Sequence, residues 1–189
     1  LAEFGLTERI LPRVIPSNGV IGEVKEELAR RLGLKRRPLV VIGGNDAVLA
    51  SFSAGVELPG QALDVNGTAE IGLVCLDSCI YSANYNVRAH VIPDRWLTLY
   101  VMNAGGKALA WFHREFCREL SVEAFYNDYL PESVNRWLEA ESTVVYEPFL
   151  LGSRYSRTPK QAAFSGITEQ TSRSQMLAAV VRGLYGYQR

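Results

Sequence analysis

Residues 40–47 read VVIGGNDA, and this stretch decides the fold class. The short apolar run Leu39–Ile42 is typical of a strand that is covered on both faces. The two glycines that follow allow a sharp turn, and the small apolar residues from Ala47 to Gly55 predict a tightly buried helix. A strand, a glycine turn and a helix in this order indicate an α/β protein of mixed α+β type.

An amphipathic helix is predicted before this strand. From Glu23 to Leu32 the apolar residues recur at helical spacing, and Gly33 ends the pattern as a glycine after a helix does. The predicted apolar face consists of Val24, Leu28, Ala29 and Leu32. The first part of the chain is therefore expected to form a helix–strand–turn–helix unit.

The character of the sequence changes at Pro59-Gly60, which we take as the boundary between two domains, residues 1–59 and 60–189. Beyond it, Gln61–Val74 and Asn86–Met102 alternate and are rich in Val, Ile, Leu and Tyr. This pattern predicts an antiparallel meander.

Helices and strands mix in the remaining sequence. We predict helices over Gly106–Leu120 and Val122–Leu138, and a strand over Thr143–Leu150. A capping box, Ser172-x-x-Gln175, marks the start of the last helix. The apolar face of that helix consists of Met176, Leu177, Val180, Val181 and Leu184.

The composition of the 189 residues excludes several classes of protein. The chain is 48% apolar, and its 20 basic and 20 acidic residues balance, so we expect a folded chain that binds no nucleic acid. The one basic cluster, Lys35-Arg36-Arg37, is typical of a solvated turn. No apolar run approaches the ~20 residues of a membrane span. Three cysteines without CxxC spacing predict reduced thiols in a cytoplasm and no metal site.

Asp46 stands at the end of the predicted strand. Because α/β sheets bind ligands at the carboxyl ends of their strands, its carboxylate could accept the proton of a hydroxyl that attacks phosphorus. The alternative is that Asp46 or Asn45 simply caps the following helix. The residues of this segment leave both interpretations open.

Two glycine turns could contact a phosphate group. Asn66-Gly67, between two alternating runs, predicts a hairpin turn of type I′, and a Gly67-Thr68 turn also offers amides and a hydroxyl to phosphate. Gly106 stands where a helix begins, an arrangement that lets an anion approach free amides. The alternative there is that Gly105 and Gly106 admit a closely packed neighbour.

Taken in order, these segments resemble the FGGY family of carbohydrate kinases, which phosphorylate glycerol and ketoses such as xylulose, ribulose, rhamnulose, fuculose and sedoheptulose. Residues 43–46 are similar to the catalytic-base segment of that family. Gly67-Thr68 resembles its Gly-Thr-Ser turn on the ATP phosphates, and Gly106 and Trp111 resemble its Gly-x4-Trp element. Residues 148–154 (PFLLGSR) and 164–167 (FSGI) resemble later family motifs. The resemblance extends from about Leu11 to the end of the chain.

The resemblance implies a ribonuclease H-like, actin-like ATPase fold in two partial domains, and transfer of the γ-phosphoryl of ATP to a hydroxyl of a ketose or polyol. It assigns Asp46 as the catalytic base, Asn45 and Asp46 to the sugar, and Gly67, Thr68 and Gly106 to ATP. Mg²⁺ is the second expected cofactor, but no residue of this chain is assigned to it. The N-terminal phosphate loop and the late adenine-binding segment are expected outside the 189 residues, so the chain alone is expected to be inactive.

Three positions depart from the family pattern and leave the sugar unassigned. Ala47 stands where glycerol and xylulose kinases carry an amide, Ala69 replaces Ser or Gly, and Ser153 replaces Glu. We expect a sugar substrate, no nucleic acid and no membrane, and leave a homodimer open. Two rival interpretations remain: a non-catalytic actin-like nucleotide-binding domain, and a structural α/β domain in which Asp46 is only a helix cap.

Overall fold

The computed structural model describes residues 2–137 and 142–186. Two single-turn 3₁₀ segments, Ala2–Phe4 and Glu8–Ile10, open the chain. Four elements follow. They are β1 (Val20–Glu23), α1 (Glu26–Arg31), β2 (Leu39–Val41) and α2 (Asp46–Ser53). The two strands pair antiparallel as a small separate sheet.

The helix–strand–turn–helix prediction is confirmed in its order, but its details change. The first helix begins at Glu26 instead of Glu23, because Val20–Glu23 pairs with β2 as a strand. Gly33, with φ of +66°, lies just beyond the end of α1 as predicted. Of the predicted apolar face of this helix, only Ala29 is buried, at 5% exposure.

The predicted burial of β2 and α2 is wrong for the described part of the chain. Leu39 and Val41 are 65% and 52% exposed, because β1 is the only strand that pairs with β2 among the described residues. In α2, Val48 and Ser51 are buried while Phe52 is exposed, so only one face of this helix is buried among the described residues.

A four-stranded antiparallel sheet follows. Its strands are β3 (Ala62–Asn66), β4 (Glu70–Leu76), β5 (Asn86–Ala89) and β6 (Trp96–Met102). The strand order is β3-β4-β6-β5, so β6 lies between β4 and β5. The prediction of an antiparallel sheet is confirmed, whereas a simple meander is wrong, since β4 and β5 are consecutive in sequence but are not neighbours.

The remaining elements are mostly helical. They are α3 (Gly105–Phe116), α4 (Val122–Ala124), a π-helical segment (Phe125–Tyr129), α5 (Leu130–Trp137), β7 (Val145–Glu147), β8 (Ala163–Ser165) and α6 (Arg173–Gly186). The helix predicted over Val122–Leu138 thus has a π-helical centre, where the Leu130 amide donates to the Phe125 carbonyl five residues back. Pro131, which has no amide hydrogen to donate, follows directly. Leu138 lies outside the described residues.

The capping box at the start of α6 is confirmed. The Ser172 amide donates to Gln175 Oε1 at 2.8 Å, and the Gln175 amide donates to Ser172 Oγ at 3.3 Å. Behind this cap, Leu177 and Val180 are fully buried. No helix among the described residues is long and apolar enough to cross a membrane.

Two hydrophobic clusters hold these elements together. The larger one joins α3, α6 and the segments between them, with Phe112 and Phe125 at 0% exposure; burying such a side chain contributes about 1.5–3 kcal/mol. The smaller one packs Val48 and Val56 against one face of the four-stranded sheet, and the sheet residues involved are Leu73, Cys75, Leu97, Leu99 and Val101. This second cluster joins residues on both sides of Pro59-Gly60, and the domain boundary there stays a prediction.

Candidate active site

The loop of the β3–β4 hairpin carries two of the predicted ATP-binding residues. Asn66 pairs with Glu70, so the loop consists of the three residues 67–69. Gly67 has no positive φ, which a type I′ turn requires, and its amide donates to the Ala69 carbonyl at 3.0 Å. The hairpin is confirmed at its predicted place, while the predicted turn type is wrong.

The start of α3 packs directly on this loop. The Gly106 amide donates to the Gly67 carbonyl at 2.9 Å, and the Lys107 amide donates to the Thr68 carbonyl at 3.3 Å. A Cβ atom on Gly106 would lie 2.7 Å from the Gly67 carbonyl oxygen, and one on Gly105 would lie 2.9 Å from Glu70 Cβ. Close packing therefore explains both glycines, and the amides of Gly106 and Lys107 are not free for an anion.

Thr68 carries free hydrogen-bond donors at this loop. Its side chain is exposed, and neither its amide nor its hydroxyl donates a hydrogen bond to another described residue. The exposed ammonium of Lys107 follows one residue after Gly106. An amide, a hydroxyl and a nearby cation are groups that a phosphate oxygen can contact. The residues at the loop therefore fit a phosphate group, with Thr68 as donor and Gly67 and Gly106 as packing residues.

Asn103, just before α3, ties a distant loop to the same place. Its side-chain Nδ2 donates to the carbonyls of Leu151 at 3.1 Å and Gly152 at 3.4 Å. Its Oδ1 accepts a hydrogen bond of 2.6 Å from Arg154 Nε. The segment with the PFLLGSR motif is thereby fixed beside the start of α3.

Tyr155 anchors the other end of that loop on the sheet. Its hydroxyl accepts from the Val101 amide at 3.0 Å and donates to the Leu99 carbonyl at 3.3 Å. These β6 groups lie where β5 begins, since Asn86, the first residue of β5, pairs with Leu99. The hydroxyl therefore continues the hydrogen bonding of the sheet edge, and its ring stacks on Tyr100 with a centroid distance of 5.4 Å.

Asn45 and Asp46 lie at the start of α2. Asn45 has the backbone position of an N-cap, with φ of −60° and ψ of 141°, but its side chain caps no amide. Among the described residues, Asp46 Oδ1 accepts only from the adjacent Ala47 amide, at 2.8 Å, and the carboxylate is exposed. Gly43, at φ of +70°, makes the turn that leads there. A conventional side-chain cap is therefore absent at these two residues, and the Asp46 carboxylate is open to solvent.

The buried ring of His90 helps to hold α2 in place. His90 Nδ1 accepts from the Ile92 amide at 2.9 Å, so Nε2 carries the hydrogen that is donated to the Val56 carbonyl, 3.0 Å away. This joins the segment after α2 to the segment after β5. The structure thus brings Gly67, Thr68 and Gly106 together, and holds Asp46 on a separate element that packs on the same sheet.

Sequence reasoning gave no role to Asn103, Arg154 or Tyr155. Their contacts join residues 48 to 56 positions apart, which no local pattern indicates. The only signal was an asparagine that follows an apolar strand directly and precedes two glycines.

The three cysteines form no disulfide. Burial raises the pKa of the Cys75 thiol, although the nearby Arg95 lowers it in part, and burial likewise raises the pKa of Cys117. Both groups therefore keep their protons more firmly than an ordinary thiol. Among the described residues, no cluster of three or more His, Cys, Asp or Glu side chains could hold a metal ion.

Known sugar kinases are similar to this chain in sequence and in fold. A solved xylulose kinase from Rhodospirillum rubrum superposes with a TM-score of 0.81 at 23% identity, over 92% of this chain and 35% of that one. Xylulose kinase from Staphylococcus epidermidis is 27% identical over 179 residues, which are 93% of this chain and 35% of that enzyme. Autoinducer-2 kinase from Escherichia coli is 32% identical over 117 residues, which are 61% of this chain and 22% of that enzyme. No protein-family model matches the chain.

The structural likeness identifies the fold as part of an actin-like ATPase, so the predicted fold class is confirmed. The chain is homologous to sugar kinases of the FGGY family across the region that it spans, which confirms the resemblance seen in the sequence. It spans about a third of the length of the xylulose kinases that it matches.

Proposed function

We propose that this chain is part of an ATP-dependent carbohydrate kinase, which transfers the γ-phosphoryl group of ATP to a hydroxyl of a ketose or polyol. The observation that carries the proposal is the contact of Gly106 with Gly67, which places Thr68 and its free donors beside the start of α3. Homology of the same region to sugar kinases gives this geometry its functional meaning.

In this proposal the hairpin loop binds the phosphates. Thr68 donates its amide and hydroxyl to phosphate oxygens, and Gly67 and Gly106 keep the loop and α3 close enough to form one surface. ATP supplies the phosphoryl group, and Mg²⁺, when bound with it, would neutralise part of the charge on its phosphates. Positioning and electrostatics carry the catalysis, since a loose phosphoryl-transfer transition state leaves little covalent work to the protein.

Asp46 is the proposed catalytic base, and Asn45 and Asp46 are the proposed sugar contacts. An exposed carboxylate that accepts only the neighbouring amide of Ala47 keeps lone pairs free for the hydroxyl of a substrate. The packing of Val48 and Val56 on the four-stranded sheet holds the helix that begins at Asp46 against the same sheet that carries the hairpin. Taking the hydroxyl proton as the oxygen attacks phosphorus is general-base catalysis.

The test is an assay of ADP release by the purified full-length protein, with Mg²⁺-ATP and a panel of ketoses and polyols. Phosphorylation of at least one sugar, identified by mass spectrometry, is the expected result. ATP binding without phosphorylation of any panel member would favour a non-catalytic nucleotide-binding protein instead. Release of ADP at the same rate with and without sugar would also contradict the proposal, because a kinase excludes water from the closed site.

The proposal includes a cytoplasmic location and leaves a homodimer open. Three free cysteines, two of them buried, fit a reducing compartment. Light scattering of the full-length protein measures the oligomeric state directly.

A further inference from the structure

Arg154 is an exposed arginine whose side chain is nevertheless held in one place. Its Nε donates to Asn103 Oδ1 at 2.6 Å, while the Asn103 amide group is fixed by the carbonyls of Leu151 and Gly152. Within the described ranges, no carboxylate pairs with Arg154, in contrast to the paired arginines at 118 and 173. Its charge is therefore uncompensated and oriented.

The anchor of this arginine lies close to the hairpin loop. Asn103 precedes Gly106 by three residues, so at most about 11 Å separates their Cα atoms. The Gly106 amide in turn lies 2.9 Å from the Gly67 carbonyl oxygen. The guanidinium of Arg154 is thus tethered to a residue that lies within about 11 Å of the contact between α3 and the hairpin loop.

The remaining nitrogens of Arg154 suit a phosphate. Because Nε is occupied by Asn103, the two Nη groups keep four N–H donors in a planar fork. Such a fork can contact two oxygens of one phosphate at once, and charge-assisted bonds of this kind are about twice as strong as neutral ones. Because the side chain is already held in place, binding of a ligand would cost little further conformational entropy.

We propose that Arg154 contacts the polyphosphate of the nucleotide and that Asn103 is its positioning residue. This inference rests on the proposed kinase function, since it assigns a further ligand to the same nucleotide. Tyr155, the residue after Arg154, also limits the movement of this loop, because its hydroxyl is hydrogen-bonded to β6.

Steady-state kinetics of the full-length protein test the inference. Arg154→Gln should raise the KM for Mg²⁺-ATP by about 10- to 100-fold, the loss expected for a hydrogen bond to a charged group. The KM for the sugar and the melting temperature should stay unchanged. Asn103→Ala should raise the KM for ATP in the same direction but by less, because the arginine is kept and only its orientation is lost.

Arg157→Gln is the matched control. Arg157 lies three residues further along the same loop, is exposed, and makes no hydrogen bond or ion pair among the described residues. The Arg157→Gln substitution changes the net charge by the same amount as Arg154→Gln. The KM of this control variant for ATP should therefore remain within a factor of two of the parent value.

Each other outcome counts against the inference. An active parent whose KM for ATP does not change in Arg154→Gln overturns it and leaves the kinase function intact. An equal rise in Arg157→Gln shows a general effect of charge and also overturns it. If Arg154→Gln does not fold, Arg154→Lys is measured; loss of folding in both variants makes the arginine structural. A parent without kinase activity refutes the proposed function itself.

Discussion

The amide nitrogen of Gly106 lies 2.9 Å from the carbonyl oxygen of Gly67 and donates a hydrogen bond to it. This bond joins the first turn of α3 to the loop of the β3–β4 hairpin, two elements that are 39 positions apart in the sequence. It uses an amide that a free helix start would leave for an anion. The hairpin loop, rather than the helix start, is therefore the part of this site with donors to spare.

Replacing Gly106 by alanine should damage this junction. The added Cβ would lie 2.7 Å from the Gly67 carbonyl oxygen, closer than such atoms normally approach, so the loop must move. We expect a loss of about 1–3 kcal/mol in unfolding free energy, as in other overpacked sites. Urea denaturation of the full-length protein measures it, and the KM for ATP should rise as Thr68 is displaced.

Gly186→Ala provides the control for this substitution. Gly186 is also helical, in the last turn of α6, but a Cβ there would meet no atom of the described residues within 4 Å. This variant should be within about 0.5 kcal/mol of the parent. Equal stabilities of the two glycine variants would show that the Gly106–Gly67 contact is not tight.

Asp46→Asn should separate catalysis from folding. The carboxylate is exposed and accepts only the Ala47 amide, so its loss should alter the unfolding free energy by less than about 1 kcal/mol. Turnover should fall by roughly two to four orders of magnitude if Asp46 is the general base, with ATP affinity retained. The readout is kcat of the full-length enzyme with its best sugar.

Asp77→Asn is the corresponding control. Asp77 is exposed as well, and its Oδ1 accepts a single local hydrogen bond from the hydroxyl of Ser78 at 3.1 Å. Its turnover should match the parent value. A variant of Asp46 with turnover within a factor of two of the parent would remove this residue from the mechanism.

Local sequence patterns predicted where helices and strands form better than they predicted which elements pack beside each other. The capping box of Ser172 and Gln175 and the glycine after α1 depend on contacts within a few residues, and both are confirmed. The exposure of Leu39 depends on what covers β2, and the place of β6 between β4 and β5 depends on pairing across the chain. Periodicity reports which face of a strand is apolar, but not which strand lies beside it.

The sequence predicted the residues of the candidate site, but not the geometry that depends on how the loop closes. Gly67, Thr68 and Gly106 were singled out from the order of motifs, and the structure brings them into contact. The predicted type I′ turn is wrong because Asn66 pairs with Glu70, so the loop has three residues, with Ala69 as the third, instead of two. The functional roles of Asp46 and Thr68 stay predictions until the substitutions are measured.

The 189-residue chain alone should bind Mg²⁺-ATP weakly. Among the described residues, the contacts proposed for phosphate are few: the donors of Thr68 and the cations of Lys107 and Arg154. Hydrogen bonds worth about 1 kcal/mol each do not offset the several kcal/mol of lost freedom on binding. We expect a dissociation constant of about 1 mM or weaker and no kinase activity, measured by calorimetric titration. Micromolar affinity would mean that the nucleotide site lies elsewhere in these residues.

Tyr146 should make the protein less stable at alkaline pH. Its ring is buried, its hydroxyl has no hydrogen-bond partner among the described residues, and burial raises its pKa to about 12. Below about pH 10 the tyrosine is neutral in both states. Between about pH 10 and 12 the unfolded chain ionises while the folded one resists, so stability falls as pH rises. Tyr146→Phe should make this fall shallower and, by removing an unpaired hydroxyl, raise the unfolding free energy at pH 7 by about 1 kcal/mol.

Tyr81→Phe, at a side chain that is 83% exposed, is the control and should leave the unfolding free energy at pH 7 unchanged. Urea midpoints from pH 7 to 12 decide the matter, and a destabilised Tyr146→Phe would show that the hydroxyl has a partner.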